Sequence, residues 1–186
     1  MNPGITSKEA IVQSCREIAA EQGLSAISIR AVAEKSGIAL GTLYNYYGGK
    51  DQLMLATVES IWQDIFHRDP EHRQSSSFPD YITGLFRQVR RGAEAYPNFL
   101  TDHSIAIAKS KRGEAKGAME QCFAHIKTQL LEALRADPAV DRTVFSGALT
   151  EGAFVDLVTD NLLLLLIKGT PDCAALEALV RRVIYR

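Results

Sequence analysis

Residues 27–53, ISIRAVAEKSGIALGTLYNYYGGKDQL, decide the fold of the N-terminal part of the chain. Within them Ile29, Val32 and Ala33 recur at helical intervals and give one apolar face. A second short helix is predicted from about Leu40 to Tyr46, after a tight turn that contains glycine. Two such helices form a helix-turn-helix, which presents one helix to a groove of DNA, so the stretch indicates DNA as the partner.

Local signals mark where these helices begin and end. Ser28 precedes the first apolar face, and its side-chain oxygen can accept from the free backbone amides of the helix start. Gly37 can end this helix, because glycine adopts the left-handed conformation at little cost. Gly48 and Gly49 break the second helix, and Lys50 opens the next one. A lysine at a helix N-terminus opposes the helix dipole, whereas a nearby phosphate would explain it.

The second short helix has one side for packing and one side for contacts. Leu43 and Tyr47 are four residues apart and can face inward together with Ile38. The predicted DNA contacts on the outer side are Thr42, Tyr44, Asn45 and Tyr46, with Lys50 and Ser28 on phosphates and Arg30 as a further candidate. Alternatively, the tyrosines pack within the domain, and a tyrosine can also do both, with its ring packed and its hydroxyl on a phosphate.

Four segments of the chain carry a resemblance to a known family. They read TSKEAIVQSCREIAAEQG (6–23), SIRAVAEKSG (28–37), IALGTLYNYYGGK (38–50) and DQLMLATVESIW (51–62). Together they resemble the DNA-binding domain of the TetR/AcrR family of bacterial transcriptional regulators. That domain has an initial helix, a helix-turn-helix, a reading helix with an aromatic-rich end and a lysine that opens the fourth helix. The resemblance covers roughly the first third of the chain.

The resemblance implies further contacts, and the chain departs from the family pattern at two positions. Ala39, Leu40 and Gly41 lie where the family places the N-terminal end of its reading helix, near base edges, and Leu40 could touch a thymine methyl group. Ala39 stands where the family often has serine, so one capping bond is expected to be absent. Gly49 likewise replaces a common serine before Lys50, and glycine is tolerated as an N-cap at a cost of a few tenths of a kcal/mol.

Net charge gives little support for a DNA-binding surface. The 186 residues carry 21 basic and 22 acidic side chains, a net charge of −1, and residues 1–55 hold five of each sign. Basic patches are the usual footprint of nucleic-acid binding, so affinity is expected to come from where charges sit, from backbone amides and from doubling in a dimer. We therefore expect modest non-specific binding with a shallow dependence on salt.

Composition predicts a soluble protein of the cytoplasm. The cysteines, Cys15, Cys122 and Cys173, are far apart and odd in number, which fits a reducing compartment and argues against a disulfide framework. The N-terminus lacks the pattern of a signal peptide. The longest apolar run, Leu162–Ile167, has six residues. A membrane span needs about twenty, so no membrane partner is expected.

The rest of the chain also has helical periodicity, so an all-α fold is predicted. A T-x-x-E capping box at Thr6 is expected to start the first helix. Later helices are predicted over residues 80–95, 97–109, 113–136, 141–168 and 171–185. We expect a helix-turn-helix DNA-binding domain over residues 1–50 and a larger helical effector-binding and dimerisation domain over residues 51–186. A helix over residues 51–67 connects the two.

The last two predicted helices are apolar on more than one face. Such helices must be buried on most sides, and a two-fold interface between two copies would cover them. The resemblance implies the same, because relatives in the family dimerise through their last two helices. The residues predicted for this homodimer interface are Val155, Val158, Leu162, Leu165, Leu166, Leu176, Leu179, Val180 and Val183. Alternatively, they form the core of a monomer.

A ligand cavity in the larger domain is implied by the resemblance. Its occupancy would change the separation of the two reading helices of a dimer. The residues that could line it are bulky, with a few polar groups to orient a small molecule: Phe86, Phe99, His103, Ile107, Met119, Phe123, Phe154 and Asn161. Each of them could also be plain core. The sequence does not identify the effector.

The sequence as a whole predicts a ligand-responsive transcriptional regulator that binds a palindromic operator as a homodimer. Repression is the default, because most relatives are repressors that ligand releases. No catalytic residues, cofactor or metal site are predicted, and Cys122 with His125 are too few ligands for a metal. Two alternatives stay open. One is an architectural DNA-binding module without sequence-specific regulation, and the other is a helical ligand-binding protein or enzyme.

Overall fold

The computed structural model describes residues 6–67, 75–102 and 113–185, and these residues form helices joined by turns, without strands. The predicted all-α class is confirmed, with a helix-turn-helix at the N-terminus and a larger helical part after it. No helix in these ranges is long and apolar enough to cross a membrane.

The helices follow one another along the chain with short connections. They are α1 (Lys8–Gln22), α2 (Ile29–Ser36), α3 (Leu40–Tyr46), α4 (Lys50–His67), α5 (Phe78–Ala93), α6 (Gly113–Ala136), α7 (Glu151–Ile167) and α8 (Ala174–Ile184), with 3₁₀ turns at Leu24–Ala26 and Arg142–Val144. Residues 99–102 are also helical. The remainder of the predicted helix over residues 97–109 lies outside the described residues.

The first helix begins one residue later than its predicted cap. The T-x-x-E pattern pointed to Thr6, but the side chain of Ser7 accepts a hydrogen bond from the backbone N–H of Ala10 at 3.2 Å. Both residues have a hydroxyl that can cap a helix, so the pattern alone could not decide between them. The apolar face of α1 is as predicted, with Ile11, Cys15, Ile18 and Ala19 buried.

The first half of α4 packs into the N-terminal core, and its second half is held by polar contacts. Leu53, Ile61 and Trp62 are almost fully buried. Asp64 accepts from Arg16 of α1, with 2.7 Å between Nη2 and Oδ1. The hydroxyl of Tyr96 donates to the second oxygen of Asp64 at 2.9 Å and accepts from Nε of Arg16 at 3.1 Å. These three side chains therefore form a closed polar network.

The contacts divide the chain into two compact units. One consists of Met1–Ile65 with Gly92–Glu120, and the other of Phe66–Arg91 with Gln121–Arg186. In the second unit the buried carboxylate of Asp137 is the central polar group. It accepts from the backbone N–H of Phe78 at 2.8 Å and of Ala139 at 2.9 Å, and from the hydroxyl of Tyr185. The carboxylate thereby ties the start of α5 and the end of α8 to the end of α6.

The helix predicted over residues 141–168 is wrong in its first part, because α7 begins only at Glu151. Asp141 instead caps the 3₁₀ turn, where it accepts from Thr143 at 3.0 Å. Gly147 then adopts a φ of 58°, which a helix does not allow. Thr150 caps the true helix start by accepting from the backbone N–H of Ala153 at 3.1 Å.

Candidate nucleic-acid interface

The helix-turn-helix is built by local caps, as the sequence predicted. Ser28 accepts from the backbone N–H of Ala31 at 3.1 Å and begins α2. Gly37 ends α2 in the left-handed conformation with a φ of 66°. The turn Gly37–Ala39 leads into α3, which spans Leu40–Tyr46 as predicted. Ala39 provides no side-chain cap, in agreement with the departure from the family pattern.

The packing of α3 leaves one continuous side of this helix open. Leu43 is fully buried and Tyr47, directly after the helix, is 7% exposed, so these two residues fix α3 against the core. Leu40, Gly41, Tyr44 and Asn45 are exposed, and Tyr44 keeps 54% of its surface. Successive residues advance about 100° around a helix axis, so 40 and 44 form one row and 41 and 45 the next. Thr42 lies at the margin, half-buried.

The neighbouring tyrosines differ in what their hydroxyls do. Tyr46 is half-buried, and its hydroxyl donates to the backbone carbonyl of Thr6 at 2.6 Å. Tyr47 donates to the carbonyl of Lys8 at 3.3 Å, and burial raises the pKa of its hydroxyl. Both therefore hold the start of α1 to the end of α3. Tyr44, in contrast, is the most exposed of the three, so its hydroxyl is available to a partner.

Few positive charges of the N-terminal unit are free. Lys35 is paired with Glu21 at 2.7 Å and lies 3.6 Å from Glu17, while Arg16 is paired with Asp64. Lys50 and Arg30 are exposed, and neither forms an ion pair with any residue in the described ranges. These two cations can therefore reach phosphates without first giving up a partner.

The turn before Lys50 is fixed by a side chain that the sequence did not single out. Gln52 accepts from the backbone N–H of Gly48 at 2.8 Å through its Oε1. This bond closes the turn between α3 and α4 and places Lys50 at the first position of α4. A glutamine in the first turn of a helix after two glycines is the signal that could have identified it, since such side chains often reach back to a free N–H.

The residues predicted to bind an effector do not lie together in one described site. Phe86 and Phe154 are buried in the second unit, and the ring of Phe154 lies 6.3 Å from that of Phe78 and 5.7 Å from that of Phe145. Phe99 is buried in the other unit against Trp62. Asn161 is exposed and donates to the backbone of its own helix. The side chains of His103, Ile107, Met119 and Phe123 lie outside the described residues.

A groove in the second unit contains none of the predicted effector-binding residues. Its volume is about 510 Å³, and it is lined by Ser75, Ser76, Ser77, Tyr81, Gln129, Glu132, Ala133, Ala136 and Asp137. Most of these side chains are polar, unlike the aromatic lining that we expected. Within the described ranges, no three metal-ligating side chains come together.

The residues predicted for a dimer interface fall into two groups. Six of the nine are buried in the chain itself: Val155, Val158, Leu162, Leu166, Leu176 and Val180. Leu165 and Val183 are half-buried, and Leu179 is 59% exposed. On α7 the sequence analysis missed other large apolar side chains that are exposed: Leu157, Leu164 and Ile167. An apolar surface on α7 and α8 therefore exists, but it consists largely of other residues.

Comparison with known proteins agrees with the local geometry. The family model of bacterial regulatory proteins of the tetR family matches residues 11–57, which span α1 to the first half of α4. The chain is 21% identical over 154 residues to the HTH-type transcriptional regulator BetI of Rhizobium meliloti (strain 1021). That alignment covers 80% of this chain and 76% of the relative.

Solved structures share the fold over nearly the whole chain. BioQ, solved with its double-stranded DNA operator, has a TM-score of 0.65 and 15% identity, covering 96% of this chain and 97% of that one. FadR from Bacillus subtilis, solved with stearoyl-CoA, has a TM-score of 0.65 and 13% identity, covering 95% and 96%. Taken together with the helix-turn-helix geometry and the sequence matches, these likenesses identify the chain as a member of the TetR family of bacterial regulatory proteins.

Proposed function

We propose that the protein is a ligand-responsive transcriptional repressor of the cytoplasm that binds a palindromic operator as a homodimer. In this proposal residues 1–50 contact DNA, whereas residues 51–186 bind the effector and form the dimer. The observation that carries the proposal is the open side of α3. It holds Tyr44 and Asn45 exposed, while Leu43 and Tyr47 anchor the same helix in the core.

The charges and hydroxyls around α3 support a docking mode on the phosphate backbone. Lys50 and Arg30 are the exposed cations without an ion pair in the described N-terminal unit, and each can contact a phosphate. The exposed hydroxyl of Tyr44 can donate to a phosphate or a base. Ser28 already caps α2, so its role in DNA binding is to fix the start of that helix. Tyr46 acts through the start of α1, to which its hydroxyl donates.

Dimerisation supports the proposal because a single neutral N-terminal domain has little electrostatic affinity of its own. Two copies that meet through α7 and α8 would bring two α3 helices to successive major grooves, about 34–36 Å apart. The exposed apolar side chains Leu157, Leu164, Ile167 and Leu179 are the candidates for this contact, together with Leu165 and Val183.

Ligand response is proposed from the family and from the relatives, since FadR was solved with stearoyl-CoA. A ligand in the part after residue 50 would shift the balance between DNA-binding and non-binding arrangements of the dimer. The shift can be only as large as the ligand's preference between the two arrangements. Of the predicted effector-binding residues, Phe86 and Phe154 lie together in the described second unit and stay candidates.

The proposal is tested by DNA binding of the purified protein to the region upstream of its own gene. Lys50→Ala should weaken binding and reduce the slope of log affinity against log salt by about 0.9 per domain, because one phosphate contact is lost. Lys35→Ala removes the same charge from an ion-paired position on the same unit and serves as the matched control. Equal effects of the two substitutions, or binding that does not distinguish this DNA from a scrambled duplex, would contradict the proposal.

A further inference from the structure

The open side of α3 has a chemical character that points to particular base pairs. The helix reads LGTLYNY and contains no lysine, arginine, aspartate or glutamate. Its exposed side chains are the apolar Leu40, 44% exposed, the amphipathic Tyr44 and the amide of Asn45. Gly41 lies among them with open space where a Cβ would be. This surface is uncharged and contains a large aliphatic group.

Base edges in the major groove are recognised by different side chains. Guanine is read mostly by arginine or lysine at O6 and N7, and cytosine by a carboxylate at its amino group. Neither kind of side chain is present on α3. Adenine is read by asparagine or glutamine in a bidentate hydrogen bond to N6 and N7, and thymine by apolar contact with its 5-methyl group. Asn45 and Leu40 supply these two contacts.

The arrangement of the side chains allows both contacts at neighbouring positions. Leu40 and Tyr44 are four residues apart and lie one above the other on the same side of α3. Gly41 and Asn45 form the adjacent row, and the missing side chain of Gly41 lets the helix backbone approach the bases closely. Leu40 is thus beside a glycine, where a methyl group can enter, and Asn45 extends from the next turn.

We infer that α3 reads A·T base pairs, with Leu40 against the 5-methyl group of a thymine and Asn45 on the N6 and N7 edge of an adenine. The inference rests on the proposed operator binding and adds the chemistry of the bases that specify the half-site. Arg30 and Lys50 extend from α2 and α4 and take phosphates, which carry no sequence information.

The test uses modified bases in one half-site of an operator duplex selected by the wild-type protein. Each thymine is replaced in turn by deoxyuridine, which lacks only the 5-methyl group. Each adenine is replaced by 7-deazaadenine and each guanine by 7-deazaguanine, which lack N7. We expect a loss of affinity of roughly fourfold at one or two thymines, as removal of one buried methyl group gives. One adenine should lose roughly fivefold, as for one hydrogen bond.

Variants assign the effects to the two side chains. Leu40→Ala should lose the sensitivity to deoxyuridine but keep the sensitivity to 7-deazaadenine, and Asn45→Ala the reverse. Arg30→Ala is the control and should keep both. Because Leu40 and Asn45 are exposed, both variants should fold, as circular dichroism would verify.

The inference is overturned if no thymine is sensitive, if 7-deazaguanine has the largest effect, or if Leu40→Ala keeps the full sensitivity to deoxyuridine. In those cases the wild-type protein still prefers the selected duplex over a scrambled one, so the proposed function stands. If the wild-type protein selects no sequence and binds both duplexes equally, the proposed function fails and the inference with it.

Discussion

At the scale of single residues, surroundings give three nearby tyrosines separate roles. Tyr47 packs into the core, Tyr46 binds the backbone of Thr6 through its hydroxyl, and Tyr44 is exposed. The sequence predicted DNA contacts for Tyr44 and Tyr46 alike. It could not separate them, because the carbonyl that Tyr46 binds lies 40 positions away along the chain. Only the packing of α1 beside α3 brings the two groups together.

The two tyrosines should respond differently to loss of the hydroxyl. We expect Tyr46→Phe to lower the free energy of unfolding by about 1 kcal/mol, because a part-buried carbonyl loses its donor. Tyr44→Phe should leave the free energy of unfolding within about 0.5 kcal/mol of the wild type, as for an exposed position, yet weaken DNA binding. Urea unfolding and fluorescence anisotropy with labelled operator measure the two effects. The reverse pattern would exchange the assigned roles.

Asp137 and Tyr185 make stability depend on pH at both extremes. Burial raises the pKa of the Asp137 carboxyl, but hydrogen bonds from Tyr185, Phe78 and Ala139 and the charge of Arg142 lower it below its ordinary value. Its contribution is therefore present above that ordinary value and is lost as pH falls through the lower, folded-state value. Burial and the bond to Asp137 raise the pKa of Tyr185 to about 12.

The raised pKa of Tyr185 predicts a specific alkaline effect. The contribution of its proton is complete below the ordinary tyrosine value of 10.0 and is lost as pH rises to about 12. Tyr185→Phe should lower the free energy of unfolding at neutral pH by about 1.5 kcal/mol, as for a hydrogen bond to a charged group. The difference from wild type should narrow between pH 10 and 12 in urea unfolding. A difference that stays constant over this range would contradict the assignment.

At the scale of elements, helix ends were predictable where a cap is local. Ser28, Gly37 and Gly23 lie at their predicted boundaries, because each acts on backbone groups a few residues away. The start of α7 was not, since ten residues after Asp141 keep an apolar content that resembles a helix but fold into turns. A capping aspartate serves a 3₁₀ turn as well as it serves an α-helix.

Glycine at the second position of α3 separates stability from binding. Gly41→Ala should raise the free energy of unfolding by about 0.5 kcal/mol, because alanine favours a helix and nothing lies within 4 Å of the added Cβ. The new methyl group should nevertheless weaken operator binding about tenfold, by holding the side chains of α3 away from the bases. Thermal unfolding and DNA titration of the same protein measure both.

Gly152 occupies the same position in α7 and is the matched control. The nearest atom to a Cβ there is the hydroxyl oxygen of Thr150 at 3.9 Å. Gly152→Ala should therefore stabilise the protein to a similar degree and leave DNA binding unchanged. If Gly41→Ala bound operator as well as the wild type does, α3 would not approach the bases as closely as we propose.

At the scale of the whole molecule, the two apolar helices α7 and α8 bear on the assembly. Their composition predicted burial on most sides, but a helix that is apolar all round does not reveal which side faces its own chain. The structure places Val155, Val158 and Leu162 inside, and leaves Leu157 and Leu164 exposed. The choice depends on how the other helices of the unit pack, which periodicity cannot give.

A charge on the exposed side of α8 should separate two copies. Leu179 is 59% exposed, so Leu179→Glu should preserve the fold of one chain. Burying an unpaired carboxylate in an apolar interface is strongly unfavourable, so we expect a monomer in analytical ultracentrifugation and a loss of operator affinity. Thr128→Glu places the same charge at an exposed site on α6 and should stay dimeric. A dimeric Leu179→Glu protein would place the interface elsewhere.

The central claim is that the open side of α3 lies against duplex DNA. The most direct measurement is photo-crosslinking from Tyr44 replaced by p-benzoylphenylalanine, with Thr128 replaced in the same way as the control. The account predicts cross-links from position 44 to bases in each of two half-sites about one helical turn apart, and none from position 128. Cross-links from position 128 with none from position 44, or from position 44 without a preferred base, would contradict it.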